Sequence, residues 1–194
     1  MPAMLEVRPH TQSAAGLVWP LAEFYRLREL PLPSLETLDG PALPEPFRAL
    51  LAHPRDMTPT LERFHKGRLH LAVLDRFLRG EYYHRLVALC LDKQGSPVEF
   101  GANCINLNHF PCTARRLISE EYVPLGTILA DFDLVHFNEP QAYFRIEADA
   151  LIQGALRLAG PRLLYGRRNR MTDAHGRVLS EVVEILPPLD CATG

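Results

Sequence analysis

An arginine at position 85 interrupts the segment YYHRLVALCL, whose other residues suit the buried face of a sheet. A buried arginine needs an anion, because an unpaired charge there costs several kcal/mol. That anion is either a neighbouring carboxylate or a ligand carboxylate gripped through two parallel hydrogen bonds by the planar guanidinium. At a sheet edge the side chain would face water instead. Glu184 is the mirror case, an acid among valine, isoleucine and leucine in RVLSEVVEILP. Glu181 shares the segment but, three residues away, projects from the opposite face of a strand. One of the two is expected to face solvent and the other the interior, and periodicity does not decide which.

Other chemistries have little support. The eight histidines form no H-E-x-x-H or H-x-H pattern, so no metal site is expected. No G-x-S-x-G elbow is present, and neither G-x-G-x-x-G nor G-x-x-x-x-G-K-[ST] occurs, so no nucleotide cofactor is expected. Cys90, Cys104, Cys112 and Cys191 include no C-x-x-C pair and read as reduced, structural thiols.

A chain of 194 residues fits one domain, or one domain with an arm, and its 47% hydrophobic content can build a core. Lysine and arginine number 21 against 23 acids. That balance argues against a nucleic-acid or anionic-membrane binder, while leaving room for a small anionic ligand. No run approaches the roughly 18 apolar residues of a membrane helix. The start, MPAMLEVRPHTQSAAGLVWP, lacks a basic stretch followed by an apolar one, so no secretory signal is read and a cytoplasmic location is expected. No oligomeric interface is legible.

The elements that must position Arg85 and Glu184 follow from periodicity and turn residues. Residues 1–55 read as a helical, proline-rich arm packed on a body spanning 56–190. Within it, LPLPSLETLDGPALPEP is an extended linker between two short helical pieces. Thr58 caps a helix with Pro59 at its first position, ending at Gly67. RLHLAVLDRFL, YYHRLVALCLD, SPVEFGANCINL, QAYFRIEA, LLYGRRNRM and RVLSEVVEILP read as strands, mostly hairpin-linked. TARRLISEE and DALIQGALRLAG read as helices, and VPLGTIL as a turn. The expected class is α+β: a single antiparallel sheet of about six strands, with helices and flaps enclosing a ligand cavity.

The order DMT, YHRLVALCLD, PLG, YGRRNRM, VVEILP resembles the chorismate–pyruvate lyase family over about residues 55 to 188. That resemblance implies an enzyme converting chorismate to 4-hydroxybenzoate and pyruvate without metal or coenzyme. It implies that Arg85 holds the substrate carboxylate, with backbone groups at Met57 and Leu125 completing the site. It places a glutamate of the last strand against the ring hydroxyl; counting from Gly176 to Pro187, Glu184 fits better than Glu181. Family members with a second, outer arginine carry it just after the glycine of the third strand, where Ala102 follows Gly101 here. Arg167 or Arg168 of YGRRN is the candidate substitute, with a structural role for that pair the equal alternative. The insertion DALIQGALRLAG and the proline-rich arm also depart from the pattern. The same fold resembles effector-sensing domains of bacterial regulators, which bind small ligands and catalyse nothing. The arm is too short and proline-rich for the helix-turn-helix domain that usually precedes them. An aromatic-acid-binding domain, or a divergent enzyme making another hydroxybenzoate, is the alternative.

Overall fold

The segment YYHRLVALCL forms a strand covered on both faces, which is why its hydrophobicity runs on without alternation. It lies inside a seven-stranded antiparallel sheet, in a computed structural model that describes residues 13–189. Cys191 falls outside the described residues. In chain order the elements are α1 (Ala14–Leu17), α2 (Leu21–Leu27), β1 (Leu35–Leu38), α3 (Phe47–Leu51), α4 (Met57–His65), β2 (Leu69–Arg79) and β3 (Tyr82–Leu91). There follow β4 (Pro97–Asn106), α5 (Cys112–Glu120), α6 (Leu125–Asp131), β5 (His136–Glu147), α7 (Ala150–Leu156), β6 (Leu163–Asp173) and β7 (Val178–Leu186). Across the sheet the order is β1-β5-β6-β7-β4-β3-β2. The class is the α+β architecture expected, with one more strand than the sequence showed.

Each face of the sheet has its own covering. On one, Leu86, Phe100, Phe144, Val183 and Ile185 pack with Leu21 and Phe24 of α2 and with Ile152 of α7. The other face carries two separate apolar clusters. Leu51, Met57 and Leu61 from α3 and α4 cover Leu71, Val87 and Leu89, while Ile118 and Ile128 from α5 and α6 cover Tyr83, Ile105 and Met171. Between these clusters the sheet presents a polar band. Arg85 pairs with Asn103, which pairs with Val182; the next row holds Val87, Gly101, Glu184 and Arg167. Residues opposite one another on neighbouring strands share a face, so Arg85 and Glu184 stand on the same side.

Four details differ from the sequence reading, each for a physical reason. The linker contains β1, whose Leu35–Leu38 pair with Ile146–Tyr143 of β5; long-range pairing overrides its short, proline-flanked sequence. Strand β5 is longer than QAYFRIEA because Pro140 sits at a bulge, where its missing N–H costs no ladder bond. Helix α4 begins at Met57 with Asp56, not Thr58, at the capping position, and the Asp56 side chain makes no capping bond. VPLGTIL is not a turn but opens α6. There a side chain on Gly126 would come within 3.3 Å of Thr58 Oγ1, so the glycine lets α6 lie close to α4.

Gly101 is the tighter case. A Cβ at this position would lie 2.2 Å from the Val183 carbonyl oxygen of β7. Gly101→Ala must therefore push β4 and β7 apart beneath the polar band, at an expected cost of about 1–3 kcal/mol. A urea midpoint unchanged from the parent protein would show that this approach imposes no constraint.

Candidate functional site

The polar band forms the floor of a cavity of about 50 Å³, roofed by the starts of α4 and α6. Met57, Arg85, Leu125 and Glu184, the four residues singled out from the sequence, all line it. Met57 and Leu125 are each the first residue of a helix, where backbone N–H groups lack intrahelical acceptors.

Arg85 is 1% exposed. Its Nε donates to Asn103 Oδ1 at 3.1 Å, while Nη1 has no partner among the described residues. Neither bland expectation is met: β3 is interior to the sheet, and no carboxylate of the described residues lies within ion-pair distance. Burial pulls the guanidinium's pKa down to about 10, with Tyr83 and Glu121 acting the other way. It is still a cation at neutral pH, with its fork partly empty.

Glu184 is held differently. Its carboxylate pairs with Arg167, which is fully buried, and whose Nη1 also donates to the carbonyls of Leu51 at 3.1 Å and His53 at 2.6 Å. Arg167 Nη2 reaches Arg55 O at 3.2 Å. Glu181 lies on the opposite face, bonded to Arg168 at 3.1 Å and Arg170 at 2.8 Å. Contrary to expectation both glutamates are buried, because α1 covers the second face and Arg168 bonds Gly16 O there. Arg167 and Arg168 are thus each committed to a glutamate, and neither is a free second cation.

Sequence reasoning missed Glu99, Asp56 and Asn138, which also line the cavity. Glu99 was recoverable from period two, since Glu99, Gly101 and Asn103 share a strand face. Asp56 and Asn138 were not, because their meeting spans 82 positions. There Asp56 accepts from Asn138 Nδ2 at 2.7 Å and from His136 Nε2 at 2.9 Å, while His136 Nδ1 donates to Leu134 O at 2.8 Å. With an acceptor at each ring nitrogen the imidazole is best satisfied as the cation. The Asp56 bond, opposed by burial, raises the His136 pKa. Burial works to raise the Asp56 pKa as well, but the His136 and Asn138 bonds outweigh it and leave it lowered.

This pair tethers the start of α4 to β5. The raised histidine contributes stability that is complete below about pH 6.5 and lost as pH rises through its folded value. The lowered aspartate contributes stability present above about pH 3.9 and lost as pH falls through its folded value. The tether is therefore expected to be firmest between these limits. Protection of the amides in the first turn of α4, taken relative to the intrinsic exchange rate at each pH, should fall above neutrality in the parent protein, and His136→Gln should remove that dependence. An exchange rate insensitive to His136 protonation would exclude the tether.

Among the described residues no three His, Cys, Asp or Glu side chains gather as a metal site, and no helix is long and apolar enough to cross a membrane. No protein-family profile matches the chain, and no curated protein matches it. Solved structures do. The possible transcriptional regulator YydK from Bacillus subtilis superposes with a TM-score of 0.50 at 8% identity, covering 64% of this chain and 59% of that one. The chain shares its fold with YydK. It spans about three fifths of YydK's length. The effector domain of PhnF from Mycobacterium smegmatis (TM-score 0.47, 10% identity, 68% and 87% covered) and a GntR-family transcriptional regulator from Bacillus cereus (0.43, 10%, 62% and 92%) also match.

These findings correct the expected identity. The resemblance implied a chorismate lyase, an enzyme; the structure whose fold the chain shares is a possible transcriptional regulator, and no curated protein, lyase or other, matches. The physical reason is that one fold serves both binding and catalysis, so short motifs placed by the sheet report the sheet and not the chemistry. Glu184 illustrates it: the acid expected to face a ring hydroxyl has its charge taken by Arg167.

Proposed function

We propose that the chain is a non-catalytic binding domain for a small organic anion, of the effector-sensing kind. Arg85 is the group that holds the anion, with the backbone at Met57 and Leu125 beside it and Glu184 closing the far wall. The observation that carries this reading is the buried, unpartnered Nη1 of Arg85 in the cavity floor. A folded protein tolerates an uncompensated buried cation where a ligand supplies the missing charge. The fold shared with YydK, a possible transcriptional regulator, supports a sensing role.

The cavity's size bounds the ligand. About 50 Å³ is well below the roughly 150 Å³ of a cavity that takes a benzene ring. As it stands the site admits a carboxylate with a few further atoms; an aromatic acid requires Met57 and the start of α4 to lift. Titration calorimetry with short aliphatic carboxylates, benzoate and 4-hydroxybenzoate tests the reading. Binding with one-to-one stoichiometry is expected, without conversion of the ligand. No heat with any of them at millimolar concentration overturns it.

A further inference from the structure

Glu99 lies on the cavity face of β4, one row beyond Glu184: it pairs with Leu89, as Gly101 pairs with Val87 and Asn103 with Arg85. It is 5% exposed, and its Oε2 has no hydrogen-bond partner among the described residues. Two features of this cavity thus lack partners, a guanidinium N–H at one end and a carboxyl oxygen at the other. Resting on the reading of the cavity as an anion site, we propose that Glu99 is its second recognition group, a neutral carboxyl that donates a hydrogen bond to an oxygen of the ligand remote from Arg85.

Charge within the cavity leads to the same assignment. Arg167 on β6 is paired with Glu184 on β7 and donates to three carbonyls. Asp56, at the start of α4, is paired with His136 on β5. His53, in the segment before α4, is neutral, since burial and then Arg167 and Arg55 depress its pKa to about 4. Burial and the neighbouring Glu184 carboxylate raise the Glu99 pKa well above the usual carboxylate range, against a lowering by Arg167. A protonated carboxyl is an O–H donor as well as an acceptor. Among the described residues the balance is one uncompensated positive charge, on Arg85.

The ligand class follows. It is a monoanion with a second, uncharged oxygen function, such as a keto or hydroxy acid. The Arg85 and Glu99 rows lie four residues apart on β4, roughly 13 Å along the strand, and Glu99 shortens that span by leaning over Gly101, its Oε1 3.6 Å from where a Cβ would stand there. A short bifunctional acid bridges the remainder.

Matched acids test this. Levulinate and pentanoate have the same length and charge and differ by one keto oxygen; 4-hydroxybenzoate and benzoate are the ring counterpart. Parent protein is expected to bind the oxygenated member of a pair about tenfold more tightly at pH 6, and to lose that preference as Glu99 ionises at higher pH. Glu99→Gln, whose amide also donates, should keep the preference and make it independent of pH. Glu99→Leu should abolish it. Oxygen preference that persists in Glu99→Leu, with binding still dependent on Arg85, overturns the role of Glu99 and leaves the anion site standing. Binding to Arg85→Met as tight as to the parent protein, or none to the parent protein, overturns both.

Discussion

Arg85→Met is expected to weaken anion binding severely and at the same time to make the unliganded domain more stable. The two effects share one origin. The guanidinium has a single side-chain bond, to Asn103, and no counter-ion among the described residues. Its folded pKa of about 10 lies well below that of an arginine in the unfolded chain. For a base shifted in that direction, folding disfavours the charged form at every pH below about 10. The penalty eases only as pH rises from there toward the unfolded value. At neutral pH it amounts to on the order of 3 kcal/mol. Methionine fills much of the volume without the charge, so a gain of about 1–3 kcal/mol is expected in chemical denaturation without ligand. Binding should weaken by about 2–5 kcal/mol, roughly thirty-fold to a few thousand-fold in Kd. A variant less stable than the parent, with anion affinity intact, would mean that Arg85 is a structural arginine.

Arg167→Met should do the reverse. This arginine neutralises Glu184 and ties the carbonyls of Leu51, His53 and Arg55 to β6, so it fixes the segment from which α4 springs. Its removal leaves the Glu184 carboxylate buried without a counter-charge, with the Glu99 carboxyl beside it. The expected loss is about 3–5 kcal/mol, a large part of the stability of a domain this size. Denaturant unfolding measures the loss, and amide exchange across residues 52–57 locates it. A variant within about 1 kcal/mol of the parent would show that the pair is replaceable.

Much of this was legible because the signals were local. Six strands declared themselves through hairpin turns and apolar runs, and Arg85 and Glu184 through being charged within such runs. β1 was hidden because four residues between prolines carry no periodicity, and its partner strand begins about a hundred positions later. The start of α6 was hidden because Pro124 and Gly126 read as turn residues, although a proline before a helix and a glycine at a close helix contact are both ordinary. Glu99 escaped notice because Gly101 and Asn103 make its face of β4 look solvated; helices far away in the chain cover it. Activity was misjudged for a different reason. Motif order reported where the sheet places an arginine and a glutamate, while the partner that takes the glutamate's charge, Arg167, sits in YGRRNRM as one basic residue among several.

The cavity is asymmetric in how its walls are secured. Its floor, β3, β4 and β7, lies in the middle of the sheet, where each strand is bonded on both sides. Its ceiling consists of helices of nine and seven residues. Those two helices send their apolar residues into different clusters and meet each other where Gly126 of α6 lies against Thr58 of α4. An occupant lodged between them is expected to leave the strands unmoved and to register as a change in the spacing of α4 and α6.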